Sequence, residues 1–156
     1  MMVVSNTSPL ILLDKVGHIH LLERLFQKVI IPPAVDMEWL RPGGYRVPSW
    51  LSIEPLSPEA QKIAEDLRSK IDPGEAEAIA LCSTNSTGWV ILDDLKARNL
   101  AKSMGMQVTG TLGILTVAKK KGMIPALKPL LELLKKHRFY VADDVVAAAL
   151  SLVGEQ

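Results

Sequence analysis

Trp89-Val90-Ile91-Leu92-Asp93-Asp94-Leu95-Lys96-Ala97-Arg98 decides the reading of this chain. Its four leading apolar residues, two of them β-branched, suit a strand buried on both faces, as in a parallel sheet. Two carboxylates follow at once. Leu95, Ala97, Leu100 and Ala101, interleaved with Lys96, Arg98 and Lys102, then describe an amphipathic helix with Asp94 near its N-terminus. In open α/β sheets ligands bind outside the carboxyl ends of strands, which is where Asp93 and Asp94 would stand. Side by side, such acids repel by about 4 kcal/mol at ~4 Å and an effective dielectric near ~20. An N-cap accounts for one of them. A bound cation accounts for both.

Working outward, Met2–Ser5 and Lys28–Ile31 read as further buried strands, and Gln107–Thr109 as a short one. Ser52-Ile53-Glu54 is a short extended piece within a Pro- and Gly-marked loop, where Trp39, Tyr45 and Trp50 suit the cover of a core edge better than stacking on bases. Ser8 before Pro9 predicts a capped helix over Leu10–Leu13 that stops at Gly17, and His18–Phe26 predicts a second. Pro32-Pro33 closes the second strand, and a helix from Ala34 to about Leu40 carries Glu38. Ser57 caps a helix to about Lys70, and Asp72 with Glu75 has the spacing of a capping box opening a helix to about Ser83. Asn85-Ser86-Thr87-Gly88 is the turn into the central strand. Beyond Gly105, Gly110-Thr111-Leu112-Gly113 starts a helix to about Lys121, with Thr111 a fitting N-cap, and Lys128–Lys136 forms another. Arg138–Val141 suits an edge strand, and Asp143-Asp144 cap a last helix to about Leu152. Alternating strands and helices predict a three-layer α/β/α domain around a mainly parallel sheet of four or five strands.

The chain has 156 residues, enough for one domain, and its 48% hydrophobic content with 4% aromatics predicts an aliphatic core. A net charge of +1 marks no polyelectrolyte surface. No run approaches the ~18 apolar residues of a membrane span, so no membrane partner is expected. The single cysteine, Cys82, lies among Ala78, Ile79 and Leu81 and reads as a buried thiol in a reducing cytoplasm.

The candidates for chemistry are Asn6, Glu38, Glu75, Asp93 and Asp94, each at or near a strand end. Oxygen donors of this kind suit Mg²⁺ or Mn²⁺, which activate water and neutralise charge developing on phosphate. Zinc chemistry is excluded by the lack of a His/Cys set, and His18 with His20 at i, i+2 face apart. Three of them also have a structural reading: Glu38 as a solvated charge near Arg41, Glu75 as half of the capping box, Asp94 as a cap. Glu77, two residues beyond Glu75, cannot share its direction.

Val3-Val4-Ser5-Asn6-Thr7-Ser8-Pro9-Leu10, Ile31-Pro32-Pro33-Ala34-Val35 with Glu38, Gly74-Glu75-Ala76-Glu77-Ala78, Leu92-Asp93-Asp94 with Ala97-Arg98, and Gly110-Thr111-Leu112-Gly113 follow in that order. Together they resemble the PIN-like domains of the DUF3368 family, relatives of the VapC toxin ribonucleases, over nearly the whole chain. The resemblance implies a divalent-metal-dependent ribonuclease acting on single-stranded RNA, a possible toxin with a small antitoxin partner, and a homodimer. Residue by residue, it places the first-strand acid at Asn6, the next at Glu38, the mid-chain acid at Glu75 and the late acid at Asp93 or Asp94. The metal would then be held by Asn6, Glu75, Asp93 and Asp94, with Thr7, Ser8, Lys96, Arg98 and Thr111 beside the substrate phosphate. Asn6 departs from the family's aspartate and removes one negative charge. A PIN-like module that binds RNA or protein without cutting is therefore the alternative, and a phosphoacceptor receiver domain a remote one.

Overall fold

Along the central strands, side chains alternate between two cores. Val3, Val29, Ile31, Leu51 and Ile91 point into one, while Val4, Ile30, Val90 and Leu92 point into the other. That double burial is why these strands read as unbroken apolar runs. The computed structural model describes residues 1–85 and 87–156; Ser86, in the turn expected before the central strand, lies outside the described residues. The strands β1 (Met2–Ser5), β2 (Lys28–Ile31), β3 (Leu51–Ile53), β4 (Trp89–Ile91) and β5 (Gln107–Thr109) form one parallel sheet in the order β3-β2-β1-β4-β5. Val4 pairs with Ile30 on one side and Val90 on the other.

The first core is covered by α1 (Thr7–Lys15), α2 (Leu21–Phe26), α8 (Thr111–Lys120), α9 (Lys128–Lys136) and α10 (Asp143–Leu152), with a helix that opens at Pro33. That helix is α3 (Pro33–Val35), then a π turn over Asp36–Leu40, then α4 (Arg41–Gly43). The second core is covered by α6 (Pro73–Thr84) and α7 (Leu95–Ser103). Outside α6 lies α5 (Pro58–Leu67), joined to it through Ala60, Ala64 and Ala80. Cys82 is a buried free thiol, its pKa pushed up by burial.

Several sequence expectations shift. α1 starts at Thr7, not after Ser8; Asn6 holds the N-cap backbone (φ −82°, ψ 174°), and Pro9 falls in the first turn, where its missing N–H costs nothing. His18–His20 is a turn, and α2 begins only at Leu21. Thr111 is the first helical residue of α8 rather than its cap, which is Gly110. Ala142, not Asp143, caps α10, and both aspartates stand in its first turn. Arg138–Val141 forms no strand: Arg138 turns to φ +63°, and the Phe139 N–H bonds back to Leu134 O at 3.1 Å, closing α9. The residues that looked like an edge strand are spent on ending a helix.

Candidate active site

The chain runs β1 to β2 to β3 in one direction across the sheet, then returns to place β4 on the opposite side of β1. The carboxyl ends of β1 and β4 thus flank the crevice where strand order reverses, the usual ligand position in open α/β sheets. Asn6 leaves β1 at this edge, its N–H bonded to Ile91 O at 3.1 Å, and Asp93 and Asp94 leave β4 beside it. α6 starts at the same edge: a Cβ added to Gly74 would sit 2.9 Å from Asn6 Oδ1 and 3.1 Å from each carboxylate oxygen of Glu38.

Around this point the acids have distinct surroundings. Asn6 is buried, and its Oδ1 has no hydrogen-bond partner. Glu38, brought in by the π turn, accepts a hydrogen bond from the buried Thr7 hydroxyl at 2.6 Å. The extra residue in that turn re-aims the side chain, a use π turns often have at functional sites. Glu75 is buried and completes the capping box: Asp72 Oδ1 accepts from Glu75 N at 2.8 Å, and Glu75 Oε1 accepts from Asp72 N at 3.2 Å. Its pKa is pushed up to about 7, first by burial, with the charges of Asp72 and Asp94 adding to it.

The adjacent aspartates differ sharply. Asp93 Oδ1 accepts from Thr111 N at 2.7 Å and its Oδ2 from the Thr111 hydroxyl at 2.6 Å. Arg98, whose Nη1 donates to Leu92 O at 2.8 Å, stands on the Asp93 side of Gly110. Burial pushes the Asp93 pKa up, although both Thr111 bonds and Arg98 pull it down. Asp93 therefore spends both oxygens tying β4 to the start of α8. Asp94 is exposed; only its Oδ2 caps α7, accepting from Ala97 N at 3.0 Å. With Glu75 it lines an open groove of about 460 Å³ whose other walls include Arg68, Lys70, Asp72 and Lys96.

The sequence-predicted residues thus fall into two groups. Asn6, Glu38 and the α6 N-terminus meet over Gly74, and Glu75 shares its groove with Asp94. Among the described residues, no three Asp, Glu, His or Cys side chains come together as a metal-ligating group. Of the residues expected near phosphate, Thr7 is engaged with Glu38 and Thr111 with Asp93, Arg98 is turned to the backbone, Ser8 is exposed, and Lys96 lines the groove. His18 and His20 lie in a turn with ring centroids 5.6 Å apart, and burial with its neighbour's charge lowers the His18 pKa. Sequence reasoning passes over Gly74 and sets Glu77 aside. A glycine inside a capping box, where alanine would serve the helix better, is the signal for the first.

Whether a divalent cation fits is answered by Asn6. Its amide oxygen is buried without a donor and faces the Glu38 carboxylate, itself held by Thr7, across the Gly74 cradle, so acceptors outnumber donors at this point. A hard cation taking oxygen ligands satisfies all of them. Of the two adjacent aspartates, Asp94 keeps one oxygen clear of hydrogen bonds, whereas each Asp93 oxygen accepts one from Thr111.

A family model described as PIN domain, DUF3368, matches residues 2–155, and the chain belongs to this family. Searches of curated proteins and of solved structures return no match.

Proposed function

We propose that this PIN domain is a divalent-metal-dependent endoribonuclease in which Asn6 and Glu38 take Mg²⁺ or Mn²⁺ at the Gly74 cradle of the β1/β4 crevice, and Glu75 and Asp94, in the groove beside it, would close on the ion when it binds. Membership of a family with a nuclease-type fold is the premise, and the observation that carries the reading is the unpartnered, buried Asn6 Oδ1 set against Glu38. When bound, the cation would supply a water activated for in-line attack and a counter-charge for the phosphate oxygens. The chain's own residues have separable tasks. Thr7 holds the Glu38 carboxylate in place, Gly74 keeps the cradle clear of a Cβ, and Glu75 and Asp94 wall the groove. Lys96 and Lys70 supply the groove with positive charge for a nucleic-acid backbone. The resemblance to VapC toxins extends the proposal to a toxin restrained by a small antitoxin protein.

A second reading has its own observation. With an amide at the first acidic position the centre carries one negative charge fewer, and Thr111 ties Asp93 to the start of α8, which favours a module that binds RNA without cleaving it. One experiment separates the two: Mn²⁺ titration by calorimetry and cleavage of a single-stranded RNA, each on the wild type and on Gly74→Ala. A nuclease gives Mn²⁺ binding and chelator-sensitive cleavage, both lost when the new Cβ fills the cradle. Binding of RNA without cleavage establishes the second reading. Failure of the wild type to bind Mn²⁺ or Mg²⁺ overturns the metal centre.

A further inference from the structure

Glu77 is a buried carboxylate that the proposed site does not use, and its contacts are specific. Its Oε1 accepts from Ala34 N at 3.0 Å, and its Oε2 accepts from Arg68 Nη2 at 3.2 Å. Ala34 is the second residue of the helix that carries Glu38. That helix has no acceptor of its own at its start: the N-cap is Pro32, which has no polar side chain, and Pro33 has no N–H. The next donors, Val35 N and Asp36 N, both reach Pro32 O, at 3.1 and 3.2 Å. Ala34 N is the one donor of the first turn left over, and Glu77 takes it from another helix.

The consequence is geometric. α6 meets the Glu38 helix at two levels: at Gly74, where Glu38 and Asn6 crowd the missing Cβ, and one turn further on, at Glu77. The first contact is a gap between acceptors and cannot hold the helices together. The second is a charge-assisted bond that can. Arg68, half exposed and shared by the grooves on either side, offsets the charge that this bond requires inside the protein.

We infer that Glu77 is a positioning residue for the cation centre: by capping the Glu38 helix in trans, it sets the Glu38 carboxylate in place opposite Asn6 at the Gly74 cradle. The inference rests on the proposed metal reading. Two variants and two readouts test it. Glu77→Gln keeps an oxygen for Ala34 N at the same volume, whereas Glu77→Ala removes it. Mn²⁺ affinity, measured well below the melting temperature of each, should fall by about tenfold in Glu77→Ala and stay within about threefold of wild type in Glu77→Gln, as supporting groups around metal ligands do. Amide exchange at residues 34–38 should accelerate in Glu77→Ala and not in Glu77→Gln. A folded Glu77→Ala with wild-type Mn²⁺ affinity overturns the positioning role, leaving Glu77 as a structural ion pair. If the wild type binds no Mn²⁺, the metal reading fails instead. Exchange at residues 34–38 then still decides whether Glu77 holds the Glu38 helix: acceleration in Glu77→Ala supports it, and unchanged exchange overturns it.

Discussion

Asn6 concentrates the question of activity in one atom. Asn6→Asp changes almost no volume and puts a second carboxylate oxygen against Glu38, where the amide oxygen already lacks a donor. Without metal the variant should lose about 1–2 kcal/mol, several degrees of melting temperature, through repulsion between the crowded acids. With Mn²⁺ it should bind more tightly and cut RNA faster. Calorimetry and melting in both conditions check the pair of signs, and a variant that is stabilised without metal would contradict the crowding. Glu75 gives a pH dependence. Its folded pKa of about 7 lies above the ordinary carboxylate value, so the folded state binds that proton more tightly than the unfolded chain. Stability from this group is full below the unfolded pKa and is lost as pH rises toward 7. Glu75→Gln keeps the acceptor for Asp72 N and removes the titration. It should therefore stabilise the metal-free protein by about 1 kcal/mol at pH 8, discounted for screening, and change little at pH 4. Melting curves at the two pH values check this. The capping box was legible because Asp72 and Glu75 act locally. The raised pKa was not, since it arises first from burial, with the charge of Asp72 and that of Asp94, distant in sequence, adding to it.

At the scale of elements, the two aspartates after β4 divide into a tie and a wall. Asp93→Ala should cost about 1–3 kcal/mol by leaving both Thr111 donors unpaired, with cation affinity unchanged. Asp94→Asn should keep the cap on α7, since asparagine caps as well as aspartate, and lose cation affinity. Chemical denaturation and Mn²⁺ titration on both variants check the contrast; the reverse pattern would move the ligand role to Asp93. The sequence could identify the acidic pair and the helix after it, because strand, cap and amphipathic face are all encoded within a few residues. It could not say which acid was free. That depends on Thr111 arriving at the start of α8, beyond the next strand, and on Gly110, whose missing Cβ leaves room beside Asp93 Oδ1. The π turn was hidden for a related reason: Asp36–Leu40 has an ordinary helical pattern, and the extra residue shows only in the backbone. Arg138–Val141 misled because β-propensity there yields to the closing of α9.

For the whole molecule, the parallel sheet and its two helical layers were legible from runs buried on both faces, and the strand order was not. That order matters: β3-β2-β1-β4-β5 differs from the 2-1-3-4-5 arrangement of receiver domains, which sets the phosphoacceptor reading aside. The second core is small and aliphatic, so truncating it should be felt globally. Ile79→Ala, at a fully buried position of α6, should cost about 2–5 kcal/mol and lower the melting temperature by ~5–15 °C, measurable by calorimetry. The pairing of Val4 with Val90 has a kinetic meaning as well. β1 can find β2 soon after both are made, but its other neighbour, β4, follows only after β2, β3 and α1 to α6, and closing so long a loop is slow. The crevice between β1 and β4 is therefore among the last features to form as the chain folds. On a ribosome, a nascent chain carrying β1, β2 and β3 would have three of the five strands and the Asn6 and Glu38 side of the proposed centre, but neither Gly74 nor the groove of Glu75 and Asp94, so any nuclease activity would switch on late in synthesis.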